Sequence, residues 1–237
     1  MLVKRIRVKL AKVLVERYGL EILSKPYFEM YLDILLKNES FYFIQVGAHD
    51  GVRFDNLYQK VTTVNCSGIV IEPLKKYFHR LQMNYEDYPH VTPLNIALHP
   101  NLDEVDIHHV DFDKIDMLEP WSGGIASLDA QHHKKSATPS TCMTKTKVKA
   151  MSFMNLIDEY KIESIDLLQI DVEGFDFEIL KMIDFTYIKP KLIKYEYINL
   201  SDEEQEHLKI LLEENGYKVY IGKEDAIASL VEYFGDI

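Results

Sequence analysis

A chain of 237 residues with 47% apolar and 27% charged side chains has an ordinary globular composition, which excludes disordered and collagen-like classes. Its net charge of −11 argues against a nucleic-acid partner, because phosphate contact needs clustered Lys and Arg. Its two cysteines, Cys66 and Cys142, suit neither a disulfide framework nor a zinc site.

The length supports one substantial core, so a single domain over residues 41–237 is expected behind an N-terminal helical extension over 1–40. No run approaches the roughly 18 apolar residues of a membrane span, and Lys4, Arg5, Arg7, Lys9 and Lys12 interrupt the place of a signal peptide's apolar region. A cytoplasmic location is the expectation. Over residues 1–20, Val3, Ile6, Leu10, Val13 and Leu14 recur at helical spacing among the basic side chains, which predicts a basic amphipathic helix. Packing on the domain is preferred over peripheral contact with an anionic membrane, since neither Trp nor Phe supplies an interfacial anchor.

From residue 41 short apolar runs follow: FYFIQV (41–46), GIVIEP (68–73), VTPLNIAL (91–98), IDLLQIDV (165–172), KLIKYEYI (191–198) and YKVYIG (217–222). Helical patterns over 74–87, 175–184 and 201–216 alternate with them, and Ser201 and Gly216 mark the start and end of the last. Runs apolar on both faces, alternating with helices, predict an α/β fold with a mostly parallel, doubly wound sheet. Residues 101–150 break the rhythm: strand-like VDIHHV and TKVKAMSF flank a polar stretch without a helix signal. Such a segment inside a compact domain reads as a substrate-binding insert or lid.

In an open α/β sheet, ligands sit beyond the carboxyl ends of the strands. Those ends deliver Gln45, Val46, Gly47, Ala48, His49, Asp50 and Gly51, then Glu72 and Pro73, Asn95 and Ala97, Asp171 and Glu173, and Glu196 and Asn199. The two glycines of the first loop are read as letting backbone approach a ligand, although Gly-x-x-x-Gly is neither a dinucleotide nor a phosphate-loop motif. Glu72, one strand later, is placed to accept hydrogen bonds from ribose hydroxyls. An acidic pocket suits a ligand carrying a sulfonium and an amino group better than one carrying pyrophosphate. A nucleotide-binding oxidoreductase and a non-catalytic module on the same fold stand as alternatives.

The order FIQVGAHDG, GIVIEP, PLNIAL, GGIASLD, DLLQIDVEGFDFEILKMIDF and LIKYEYINLS resembles the FkbM-type methyltransferases, S-adenosylmethionine-dependent enzymes of the seven-stranded class I fold. The resemblance spans residues 41–225. It implies a donor loop at Val46 to Gly51, ribose contact at Glu72, adenine-side contacts near Asn95 and Ala97, and a functional role for Asp171. It further implies methylation of a hydroxyl on a small molecule, with a carbohydrate as first acceptor and N-methylation of a metabolite as the alternative. Many members carry an acid just before the first Val-Gly, where this chain has Gln45, which hydrogen-bonds without charge.

A hydroxyl nucleophile needs a general base or a metal ion. Asp171, Glu173 and His132 are the candidate bases. Asp171 and Glu196, with Glu173, are the candidate oxygen ligands for a divalent cation such as magnesium, which is the less favoured reading. Trp121, Ser122, Gly123, Gly124 and Ser127 read as an acceptor pocket in which the indole stacks on a sugar face, and His133 reads as a solvated loop residue.

Overall fold

The computed structural model describes residues 24–38, 40–53 and 57–235. The amphipathic segment expected over 1–20 lies outside the described residues. In chain order the strands are β1 (Phe41–Val46), β2 (Cys66–Ile71), β3 (Val91–Leu94), β4 (Ala97–Leu98), β5 (Glu104–Val110), β6 (Ala126–Ser127), β7 (Met143–Met151), β8 (Leu167–Ile170), β9 (Leu192–Glu196), β10 (Tyr217–Ile221) and β11 (Asp225–Leu230). The helices are α1 (Ser24–Leu35), α2 (Leu57–Val61), α3 (Lys75–Asn84), α4 (Phe153–Glu159), α5 (Asp176–Lys181), α6 (Asp202–Glu214) and α7 (Val231–Phe234).

The main sheet has seven strands in the order β10-β11-β9-β8-β1-β2-β3. The run from β9 to β3 is parallel, while β11 lies antiparallel to both of its neighbours. Alternation along β1 explains why its sequence is apolar almost throughout. Phe41 and Phe43 pack with Tyr31, Leu32 and Leu35 of α1 and with Leu57 and Val61 of α2. Ile44 and Val46 face the opposite way, onto Phe153 and Leu156 of α4, Ile179 and Leu180 of α5, and Leu208 and Leu212 of α6. Each such fully buried aliphatic side chain stabilises the fold by roughly 1.5–3 kcal/mol.

The α6 start follows its local code: Ser201 Oγ accepts from Glu204 N at 3.3 Å, and the Glu204 carboxylate accepts from Ser201 N at 2.8 Å. Gly216 follows the helix at φ +90°, in the left-handed region where glycine is favoured. The seventh strand, β11, reads DAIASL, whose small side chains carry little strand signal, yet every residue from Ala226 to Leu230 is buried.

The segment over 101–150 is more regular than its sequence predicts. It contributes β5, β6 and β7 to a second sheet with the order β4-β7-β5-β6, β5 and β7 pairing antiparallel from Glu104↔Lys149 to Val110↔Met143. Val105, Ile107, Val148 and Ala150 bury against Leu74 and Tyr77 at the start of α3 and against Ala97. The irregular remainder, between β5 and β7, folds as short 3-10 turns around β6. Among the described residues no helix is long and apolar enough to cross a membrane.

Candidate active site

β1 lies between β2 and β8, where the crossover direction reverses, and a cleft opens beyond the carboxyl ends of these strands. Its mouth included, it encloses about 630 Å³. Of the residues expected at a donor, Val46, Gly47, Glu72, Pro73, Ala97 and Asp171 line it. Gln45, Ala48, Asp50, Gly51 and Asn95 are placed elsewhere, each for a physical reason.

Gln45 is only 3% exposed, inside β1 in register with Val70 and Gln169, and strand alternation turns it to the face opposite Val46. Ala48 packs into the cluster beneath α1. Asp50 closes its own loop, Oδ1 accepting from Val52 N at 3.1 Å and Arg53 N at 2.8 Å. Burial alone would raise the Asp50 pKa, but these N–H groups and the neighbouring His49 ring outweigh it and hold the carboxyl below its ordinary value. Asn95 clamps the bend after β2, donating from Nδ2 to Glu72 O at 2.9 Å and Pro73 O at 2.8 Å.

The loop glycines are demanded by the protein's own packing, whatever the cleft holds. Gly47 stands at φ +81°, and a Cβ there would lie 1.8 Å from the Asp171 carbonyl oxygen. Gly51 stands at φ +80°, where a Cβ would meet Leu81 Cδ1 at 2.8 Å and Tyr85 Cε2 at 2.9 Å. Gly47 N and Ala48 N both donate to Ile71 O, at 3.0 and 2.9 Å, tying the loop to the end of β2.

Glu72 is 5% exposed. Its Oε2 accepts from His49 N at 3.0 Å and its Oε1 from Leu74 N at 2.8 Å. Burial pushes its pKa up to about 8 against the pull of those two N–H groups. Each carboxylate oxygen has a second lone pair, so capacity remains for hydroxyl groups in the cleft. The His49 ring, at φ +50°, also lines the cleft and lies 3.8 Å from the Tyr77 ring, centroid to centroid. Burial lowers its pKa, against the charge of Asp50. Tyr77 was not visible as a site residue in the sequence: it lines the cleft and donates to Gly123 O at 2.8 Å, joining α3 to the 101–150 segment.

On the opposite wall, two expected bases meet. His132, 4% exposed, lies on a 3-10 turn of the insert, and its Nε2 is 2.8 Å from Glu173 Oε2. Glu173 lines the cleft while His132 stands behind it. Glu173 has φ +57° and Gly174 φ +97°, so the Asp-Val-Glu-Gly turn runs through the left-handed region. Ser127 Oγ donates to Glu173 O at 2.8 Å, and Asn199 Nδ2 donates to Glu173 Oε2 at 3.1 Å and to Glu196 Oε1 at 2.7 Å. Behind them Asp176, fully buried, accepts from Glu196 N at 3.0 Å through Oδ1; its position at the start of α5 was its only sequence signal. Burial, then the charge of Asp171, pushes Asp176 up to about 8. Burial, then Glu173 and Asp171, pushes Glu196 up to about 9.

Asp171 lines the cleft and is exposed. The cation expected at Asp171 and Glu196 finds no ready ligand set: among the described residues no group of three or more His, Cys, Asp and Glu is arranged to hold a metal ion. His133 is half-buried, with Nδ1 3.0 Å from Ala130 O. Trp121 is 49% exposed on the turn Pro120–Gly124, whose Gly124 reaches the cleft.

A sequence profile for the methyltransferase FkbM domain matches residues 45–219. The chain belongs to the FkbM methyltransferase family. It is a methyltransferase that depends on S-adenosylmethionine, and the oxidoreductase alternative falls. Among solved structures it is similar to the methyltransferase FkbM from Methylobacillus flagellatus KT, with 14% identity and a TM-score of 0.50 over 81% of this chain and 44% of that one. The chain thus spans less than half of that protein, and at this identity the likeness concerns the fold alone. Precorrin-6y C5,15-methyltransferase from Geobacter metallireducens GS-15 is similar at 11% identity and a TM-score of 0.46, over 88% of this chain and 89% of that one. No curated protein matches by sequence. The cleft fits the methyl donor chemically: its described lining carries the Asp171 and Glu173 carboxylates, with Glu72 as a hydrogen-bonding group, and no Lys or Arg, which suits a cationic ligand without phosphates.

Proposed function

We propose that the FkbM family member described here transfers a methyl group to a hydroxyl of a small molecule, first a sugar or glycan precursor. The observation that carries the reading is the Glu173 carboxylate on the cleft wall, hydrogen-bonded by the buried His132 at 2.8 Å. A carboxylate in that position is a general base for an alcohol.

When bound, S-adenosylmethionine supplies a methyl group on a sulfonium leaving group. Glu72 would accept hydrogen bonds from its ribose hydroxyls, and Val46, Gly47, Pro73 and Ala97 would form the wall around it. Glu173 would accept the acceptor hydroxyl proton, and His132 holds the carboxylate in place. Asp171, just after β8, would add negative charge to the same cleft. The 101–150 segment forms the acceptor side, where the Trp121 ring offers a face for a sugar and the wall limits access of water. In this reading residues 41–237 are the catalytic domain and 1–40 its extension.

Calorimetry with S-adenosylhomocysteine tests the donor part, and mass spectrometry of a sugar panel tests the acceptor part. Binding by the wild type, weakened by Glu72→Ala, and a mass gain of one methyl group on a sugar, lost in Glu173→Gln, are the expected results. Absence of S-adenosylhomocysteine binding to the intact chain overturns the donor site; transfer to an amine instead of a hydroxyl overturns the acceptor class.

A further inference from the structure

We infer that Asn199, in the loop after β9, is the positioning residue that fixes the Glu173 carboxylate at the cleft wall. The inference rests on the reading of Glu173 as the base. Asn199 Nδ2 donates to Glu173 Oε2 at 3.1 Å and to Glu196 Oε1 at 2.7 Å. An amide nitrogen carries two N–H groups, and its oxygen only accepts. The orientation is therefore dictated, because a reversed amide would set its oxygen against two carboxyl groups.

The Asn199 and His132 contacts fall on the same oxygen of Glu173, Oε2. Among the described residues Oε1 carries no hydrogen bond, which makes it the oxygen open to an incoming hydroxyl. A carboxylate able to rotate about its terminal torsion is thus pinned from two directions by residues far apart in the chain. The backbone of Asn199 is anchored separately: Lys135 Nζ donates to its carbonyl at 2.6 Å. Replacing the Asn199 side chain leaves this contact in place.

The geometry also assigns the imidazole proton. A carboxylate accepts only, so the 2.8 Å contact needs a proton on His132 Nε2. That buried N–H reports how firmly Glu173 is held. Its exchange with solvent is measured by ¹⁵N-edited NMR, the signal being identified by its loss in His132→Gln. Asn199→Ala removes the amide, and Asn199→Asp keeps its shape while removing both N–H groups. In both variants exchange is expected to accelerate about tenfold or more, as for loss of one hydrogen bond to a charged group. With an accepted sugar, kcat falls by about the same factor, while S-adenosylhomocysteine affinity stays within about twofold. Exchange in both variants within about twofold of wild type overturns the positioning role. This readout needs neither donor nor turnover, so failure of wild-type calorimetry would count against the methyl-transfer reading alone.

Discussion

The two walls of the cleft hold their carboxylates by opposite means. Glu72 is gripped by main-chain N–H groups of His49 and Leu74, supplied by the loop after β1 and by its own chain two residues on. Glu173 is gripped by the side chains of His132 and Asn199, brought in from an insert and from another strand end. A grip made of backbone persists through most substitutions nearby; one made of side chains can be removed an atom group at a time. In the proposed reading the Glu72 wall, which takes the donor, is fixed by the fold, and the Glu173 wall, which takes the acceptor, is where sequence change can retune the reaction.

That contrast can be broken most severely at the seam between the walls. Gly47→Ala places a methyl group against the Asp171 carbonyl at a positive φ, and is expected to cost at least about 3 kcal/mol of stability, measured by urea unfolding. A variant of wild-type stability would mean the seam is slack. Next, Glu173→Gln should lower kcat by roughly 10²- to 10⁴-fold while leaving S-adenosylhomocysteine affinity nearly intact; a parallel loss of affinity would erase the division into two walls. Glu72→Ala should do the reverse at the donor, weakening S-adenosylhomocysteine about 10- to 100-fold by calorimetry.

The pH dependence of stability sharpens the comparison further. Glu72 and Asp176, both at about 8, and Glu196, at about 9, lie above their ordinary 4.5, 3.8 and 4.5, so the folded chain keeps protons that the unfolded chain has released. The stability they contribute is full below the ordinary values and is lost as pH rises through 8 to 9. Urea midpoints should fall progressively from the ordinary values up to about 8 to 9, and Glu196→Gln should flatten the decline. The smallest effect is expected far from the cleft: Ser201→Ala loses the α6 cap and about 1 kcal/mol, with donor affinity unchanged.

What could be read from the chain follows the same division. The parallel strands were legible because burial on both faces writes continuous apolar runs, and Ser201 and Gly216 marked α6 because capping is local chemistry. The place of Glu72 in the cleft was legible because it follows from the strand it ends. β11 was not, since Ala226, Ala228 and Ser229 bury through neighbours supplied by β9 and β10 and carry no pattern of their own. Tyr77 was missed as a site member because its significance lies in a partner distant along the chain, Gly123, and Asn199 was named at its strand end without its partner Glu173, for the same reason. His132 and Glu173 were each nameable from residue type and place, but their pairing needed the insert to fold back, and no spacing encodes that. The loop glycines were legible as glycines, but not the packing that requires them: the Asp171 carbonyl after β8 beside Gly47, and Leu81 and Tyr85 beside Gly51.

That same carbonyl has a mechanical consequence. Asp171 N donates to Val46 O at 3.0 Å, and its own oxygen fills the space beside Gly47, so the ends of β1 and β8 are locked main chain to main chain. The floor of the cleft is therefore set by main chain that no side-chain replacement can retract, and in the proposed reading any widening for a bulkier acceptor falls to the 101–150 side of the cleft rather than to this seam.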